Sequence, residues 1–181
     1  LADKFGGDVN EAMQTASELA QSFGMTGEQA FDLIAAASGD MSAEVRDELG
    51  QAIKEYGGVF DELGLSSENM LTLFADFGEG GARELDKVGD AFKEFSIRST
   101  DGSTATADAF ALMGADMGEY QQLLLQGGEV ASAATFDIIK ALEGIEDPAA
   151  QAEAAIALFG TPLEDLGATA VPEFLDSVQK M

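Results

Sequence analysis

The 181-residue chain contains no cysteine, no histidine and no tryptophan. Without cysteine it can build neither a disulfide framework nor a thiolate metal site, and its redox compartment leaves no trace in the sequence. Without histidine or cysteine, nucleophilic catalysis would need serine or threonine paired with one of six lysines, Lys4, Lys54, Lys87, Lys93, Lys140 and Lys180. None of these sits in a nucleophile motif. Positive charge is also scarce: 9 basic residues face 34 acidic ones, for a formal net charge of -25. A surface of that sign repels nucleic acid phosphates and anionic lipid, so direct nucleic acid binding is disfavoured. No apolar run approaches the roughly 18 residues that suggest a membrane span, and nothing in the segment indicates membrane contact. The opening residues, Leu-Ala-Asp-Lys-Phe-Gly-Gly, do not have a signal-peptide pattern. The chain begins without Met and stops inside a helix-like run at Ser177 to Met181, so we expect a segment of a longer protein.

What is present is helix. Ala157 to Gly167 reads Ala-Leu-Phe-Gly-Thr-Pro-Leu-Glu-Asp-Leu-Gly. An apolar run ends on Phe159, Gly160 supplies a left-handed stop, and Thr161, Pro162 and Glu164 restart a helix with capping-box spacing. The same elbow occurs at Gly24 with Thr26 and Gln29, at Gly64 with Ser66, and at Gly114 with Asp116 and Glu119. These four glycines are 40, 50 and 46 residues apart, which suggests a degenerate helical repeat. Any all-helical protein can reuse such a terminator, so the uneven period leaves the repeat open. The expected fold is all-α: a compact multi-helix bundle, or an irregular helical-repeat array of short helices joined by glycine elbows.

Three- and four-residue apolar steps place the helices. From Asp8, the residues Val9, Ala12, Ala16, Leu19 and Phe23 make one stripe. Ala30 to Ala37 makes a second that ends near Ser38-Gly39, and a cap at Asp40 or Ser42 starts a third that Gly57-Gly58 should break after Tyr56. Met70, Leu71, Phe74 and Phe77 lead to Gly78-Glu79-Gly80-Gly81, which lacks the lysine ending of a phosphate loop and reads as a connector. Leu85, Val88, Phe92 and Phe95 form the cleanest stripe. Ser96 to Ser103 is the most polar break, with Ile97 a candidate for brief extended chain. It divides an N-terminal helical lobe, 1–98, from a C-terminal helical lobe, 99–181, unless the two form one continuous domain. Thr104 or Thr106 should cap the next helix, Gly127-Gly128 should close the one after it, and Asp147-Pro148 and Val171-Pro172 should start the last two. Much of the 46% hydrophobic content is alanine, so we expect a thin core anchored by the twelve phenylalanines near helix ends. The seven methionines at helical spacing read as core fillers rather than as an adaptable partner groove.

No residue pattern assigns a catalytic, cofactor or metal site. Asp101, Ser103, Thr104 and Asp108 lack the alternating ligands and closing glutamate of a calcium loop. Adjacent acids such as Glu146-Asp147 and Glu164-Asp165 are expected by chance among so many carboxylates. A muralytic or other enzyme would require two of them across a cleft, and we expect no enzyme.

Four stretches, taken in order, resemble the tape measure proteins of long, non-contractile-tailed bacteriophages. They are Ala52 to Leu65, Asp86 to Arg98, Asp101 to Gly114 and Glu146 to Gly167, and the similarity covers roughly residues 10–175. The resemblance implies a structural role within the virion tail, in a protein made in the host bacterial cytoplasm. Such proteins lie inside the tail tube, set its length as subunits polymerise around them, and leave ahead of the genome. It further implies contacts with tail tube and tail-tip proteins and with tail assembly chaperones, with self-association also open, and no cofactor. A tape measure is expected to be long helix or coiled coil, whereas glycine interrupts every stripe here and no heptad is sustained. We therefore expect a compact helical module inside a longer tape. The competing expectation is a helical-repeat interaction module of another large assembly, with a groove between helix pairs.

Overall fold

The computed structural model of the chain describes residues 9–39, 41–78 and 81–181. Among the described residues the protein is all-α, with no strand. The order is α1 (Val9–Phe23), α2 (Gly27–Ala37), α3 (Ala43–Glu62), α4 (Ser67–Gly78), α5 (Ala82–Arg98), α6 (Thr104–Met113), α7 (Met117–Leu124), α8 (Gly128–Glu143), α9 (Pro148–Leu166) and α10 (Val171–Gln179). A single 3-10 turn, Ala168–Ala170, separates the last two.

Three of the four expected elbows are one motif. Gly24, Gly64 and Gly114 have φ of 65, 71 and 68°. The N–H groups of Met25, Leu65 and Ala115 donate back to the carbonyls of Ala20, Phe60 and Phe110 at 3.1, 2.9 and 3.0 Å. That return bond over five residues satisfies a carbonyl the helix end would leave orphaned, and it turns the next apolar residue inward. New helices then start on side-chain caps. Thr26 and Gln29 exchange bonds with each other's backbone, as do Ser66 and Asn69. Asp116 accepts from the Glu119 N–H at 2.8 Å.

The fourth elbow is different. Gly160 has φ 73° and ψ -164° with helix on both sides, so α9 is kinked rather than stopped. The capping box read from Thr161 and Glu164 does not form; among the described residues no hydrogen bond joins them. Pro162 has no N–H to donate to the preceding turn, which suits it to the first turn after a kink.

Several boundaries differ from the sequence reading. Gly57-Gly58 does not end α3, which runs on to Glu62. The reason is packing against α1: a Cβ on Gly50 would lie 2.8 Å from Thr15 Oγ1, and one on Gly57 would lie 3.0 Å from Ser22 Oγ. Glycines seven apart share a helix face, so here they permit close approach instead of breaking the rod. Ile97 is inside α5 rather than extended, and the hydroxyls of Ser99 and Thr100 donate to carbonyls one turn back, closing the helix end. The cap of α6 is Ser103, not Thr104 or Thr106, because its Oγ accepts the Thr106 N–H. Gly127 caps the start of α8 and Gly128 is its first residue, so this pair opens that helix as much as it closes α7. Ser42 caps α3. Asp8, Asp40 and the Glu79-Gly80 part of the glycine connector lie outside the described residues.

Helix α5 is the centre. It packs on α3, α4 and α9, while α1 and α2 flank α3 and α4, and α6, α8 and α10 gather on α9 or its neighbours. The join is made of phenylalanine rings. Phe60 of α3 stacks on Phe92 at 4.7 Å, and Phe95 stacks on Phe159 of α9 at 4.8 Å. Phe159 meets Phe174 of α10 edge-on at 5.0 Å, and Phe74 of α4 meets Phe60 at 5.7 Å. Of the methionines, Met70 is fully buried and Met13 is exposed.

Tyr56 fixes how α3 meets α5. Its ring lies on Gly89, where a Cβ would come within 2.2 Å of the ring carbons. Its hydroxyl reaches the carboxylates of Asp86 and Asp90, one helical turn apart, at 2.9 and 3.2 Å. The Lys93 ammonium sits 5.9 Å from the ring centroid. Burial, then the Asp86 hydrogen bond and the nearby carboxylate charges, push the phenol well above the usual tyrosine value.

Two outcomes follow. Gly64→Ala should destabilise by at least about 2 kcal/mol, because its Cβ would overlap the Gly128 carbonyl oxygen of α8 as well as strain a left-handed residue. Gly24→Ala, whose Cβ meets nothing within 4 Å, should cost only about 1 kcal/mol; denaturant melts compare the two. Tyr56→Phe should cost about 1 kcal/mol near neutral pH. The raised phenol keeps its proton in the folded state, so its stabilising share is complete below about pH 10 and is lost as pH rises beyond that. Alkaline denaturation of Tyr56→Phe should therefore be shallower than that of the parent, leaving the smaller effect of Tyr120, which is raised by burial and by Asp137 and Glu119.

Candidate functional site

The carboxylates singled out in the sequence have mostly local duties. The Asp101 Oδ1 accepts from the Ser103 N–H at 2.7 Å and from the Thr106 hydroxyl at 3.1 Å, and Thr106 also donates to the Arg98 carbonyl. These bonds, the backbone one foremost, hold the Asp101 carboxyl below its usual range. The stretch is a helix-to-helix turn locked by hydroxyls. Asp147 caps α9 through the Ala149 N–H at 3.1 Å. Among the described residues no three acids converge in a way that would hold a metal ion.

A charged cleft of about 700 Å³ runs between α5 and the segment of α9 after its kink. Asp86, Asp90, Lys93, Glu94 and Asp165 line it. Most of these groups already have partners: Asp86 and Asp90 take Tyr56, Lys93 reaches Glu55 at 3.3 Å, and Glu94 pairs with Arg98 at 2.6 Å. The cleft therefore reads as the outer surface of the α3–α5–α9 join.

A larger groove, about 1030 Å³, lies between α2, the α3–α4 elbow, the end of α5 and the turn joining α7 to α8. Its position follows from local chemistry. The left-handed Gly64 brings the elbow against the backbone of Gly128, and both residues line the groove. Half-buried Phe23, Met25 and Leu33 supply apolar wall, and Leu125, 75% exposed, stands at the lip. Asp32, Asp61, Glu62, Glu68 and Glu129 surround them, and among the described residues no lysine or arginine lines the groove. Glu68 is held ionised, its carboxyl lowered chiefly by a bond from its own backbone N–H and then by the hydroxyls of Ser67 and Ser66. The ion pairs at Lys54, Lys87, Lys93, Arg98 and Lys180 lie elsewhere. On the other side of α2 a second depression, about 630 Å³, shares Met25 and Asp32 and carries Phe31 and the exposed Met13.

Sequence reasoning passed over these residues. The signal was Leu123-Leu124-Leu125, three large apolar residues in a row, of which one helix face buries only part. Leu124 is buried and Leu125 is left outside. Met25, expected with the other methionines to be a core filler, instead lines both depressions, and the exposed Met13 lines the second.

An apolar trough with an acidic rim, on a scaffold of short capped helices, is suited to contact with another protein. The helix at residues 148–166 and every other helix among the described residues is too short or too polar to cross a membrane. No curated protein and no solved structure matches the chain. The family model described as phage-related minor tail protein matches residues 1–160. That match takes in the whole groove, helices α1 to α8 and α9 up to its kink, and the chain belongs to the phage-related minor tail protein family.

Proposed function

We propose that the chain is a segment of a tail tape measure protein, folded as a compact helical module that extends when it enters the tail tube. The observation that carries this reading is the family match over residues 1–160, joined to the ordered resemblance of four stretches to tape measure proteins. The architecture supports it. Short helices meet through small residues, as at Gly50 with Thr15 and Gly57 with Ser22, and such contacts bury less apolar area than interlocked large side chains. A net charge of -25 adds self-repulsion that favours opening. Residues 1–98 and 99–181 would open together, since Phe95 and Phe159 stack across that division. The role would be structural, in tail assembly, length determination and genome ejection, with tube, tip and chaperone proteins as partners.

A second reading is favoured by the groove: the module would serve as a helical docking platform in the tail and contribute nothing to length. Deletion of the module in frame from its parent protein separates the two. Extended as helix at 1.5 Å per residue, it should shorten tails by about 1.5 Å for each residue removed; unchanged tail length would leave only the docking role. Thermal melts at rising salt examine the charge contribution. The melting temperature should climb between low salt and roughly 0.5 M as ions screen the acids, and a flat response would remove electrostatic softness from the mechanism.

A further inference from the structure

We infer that the groove between α2, the α3–α4 elbow and the α7–α8 turn docks an amphipathic helix of another protein, with an apolar face and lysine or arginine along its edges. The inference holds whether or not the module measures tail length.

Shape and size come first. A helix about 10 Å across fills 1030 Å³ in about nine residues, or two to three turns. That length presents apolar anchors at steps of three and four to Met25, Leu33 and the exposed Leu125. Charge then selects the partner. Five carboxylates ring the trough and no basic side chain among the described residues lines it, so a helix flanked by cations gains on both edges while an acidic one is repelled. A second copy of this chain is a poor occupant for the same reason, with 34 acids against 9 bases.

The placement of two acids points the same way. Asp61 and Glu62 occupy the last turn of α3, where the helix dipole is negative and carboxylates cost stability. Both are exposed, and neither caps a backbone group. At the edge of the groove these two carboxylates are open to a cationic partner.

Fluorescence anisotropy at 150 mM salt tests this with a labelled helical peptide of leucine, alanine and lysine, its leucines on one face, and a matched peptide with glutamate in place of lysine. The lysine peptide should bind and the glutamate peptide should not. Leu125→Glu and the double change Asp61→Lys/Glu62→Lys should each weaken binding at least tenfold. A control double change at exposed acids away from the groove, Asp108→Lys/Glu153→Lys, alters net charge equally and should weaken it less than twofold. Circular dichroism melts should show Asp61→Lys/Glu62→Lys unchanged or raised in melting temperature, since it removes charge opposing the dipole. Equal weakening by both double variants would mean diffuse attraction to an acidic protein and would overturn the proposal, as would tight binding of the glutamate peptide or indifference to Leu125→Glu. A concentration-dependent dimer in sedimentation, abolished by Leu125→Glu, would place a second copy in the groove and overturn it as well.

Discussion

The seating of α5 between α3 and α9 governs the rest of the structure, and it depends on aromatic rings meeting at three helix surfaces. Phe92 and Phe95 lie one turn apart on α5, so one takes Phe60 from α3 and the other takes Phe159 from α9. A pair of stacked rings has little freedom to slide, because offset stacking loses both contact area and favourable quadrupole geometry when it shifts. The adjacent glycines make this possible. Gly89 lets the Tyr56 ring lie on the backbone of α5, and Gly160 brings the kink of α9 close to the Glu94–Arg98 pair, where a Cβ would stand 3.0 Å from each. The large rings supply the area and the small residues the access.

Around that join the protein carries an excess of negative charge that the fold does not use. Most of the ion pairs of the described residues lie on α5 or reach it from α3, which leaves many of the 34 acids without cations and facing water. As a member of the phage-related minor tail proteins, the chain is a structural component of the tail, and a surface of this sign repels other polyanions. The apolar groove interrupts the acidic surface. Part of its lining depends on the same device as the helix elbows, a left-handed glycine that lets the chain approach another backbone closely, here Gly64 against Gly128. A local terminator has become part of a surface.

Much of the architecture could be read in the residues. Helix stops at Gly24, Gly64 and Gly114, restarts at Thr26, Ser66 and Asp116, and proline starts at Pro148 and Pro172 all appear where expected. The stops and side-chain caps rest on hydrogen bonds between residues two to five apart and the proline starts on a fixed φ, so the information lies within about a turn of chain. The misread places share a different cause. Gly57 looks like a breaker until α1 is packed on it, and Gly160 looks like a stop until α5 fixes the geometry of a kink. The groove was the least visible feature, since Leu33, Asp61 and Leu125 come from three separate parts of the chain and carry no common motif.

The division follows from the range of the forces. Composition and neighbouring residues set the all-α character, the capped and halted helices, the acidity and the absence of thiol and imidazole chemistry, because propensity, capping and charge act without a partner. Whether a glycine breaks a helix or lets another approach, which phenylalanines converge, and where an apolar surface stays open depend on residues distant in sequence becoming neighbours. Burial is a property of that arrangement, and no stretch of chain carries it alone.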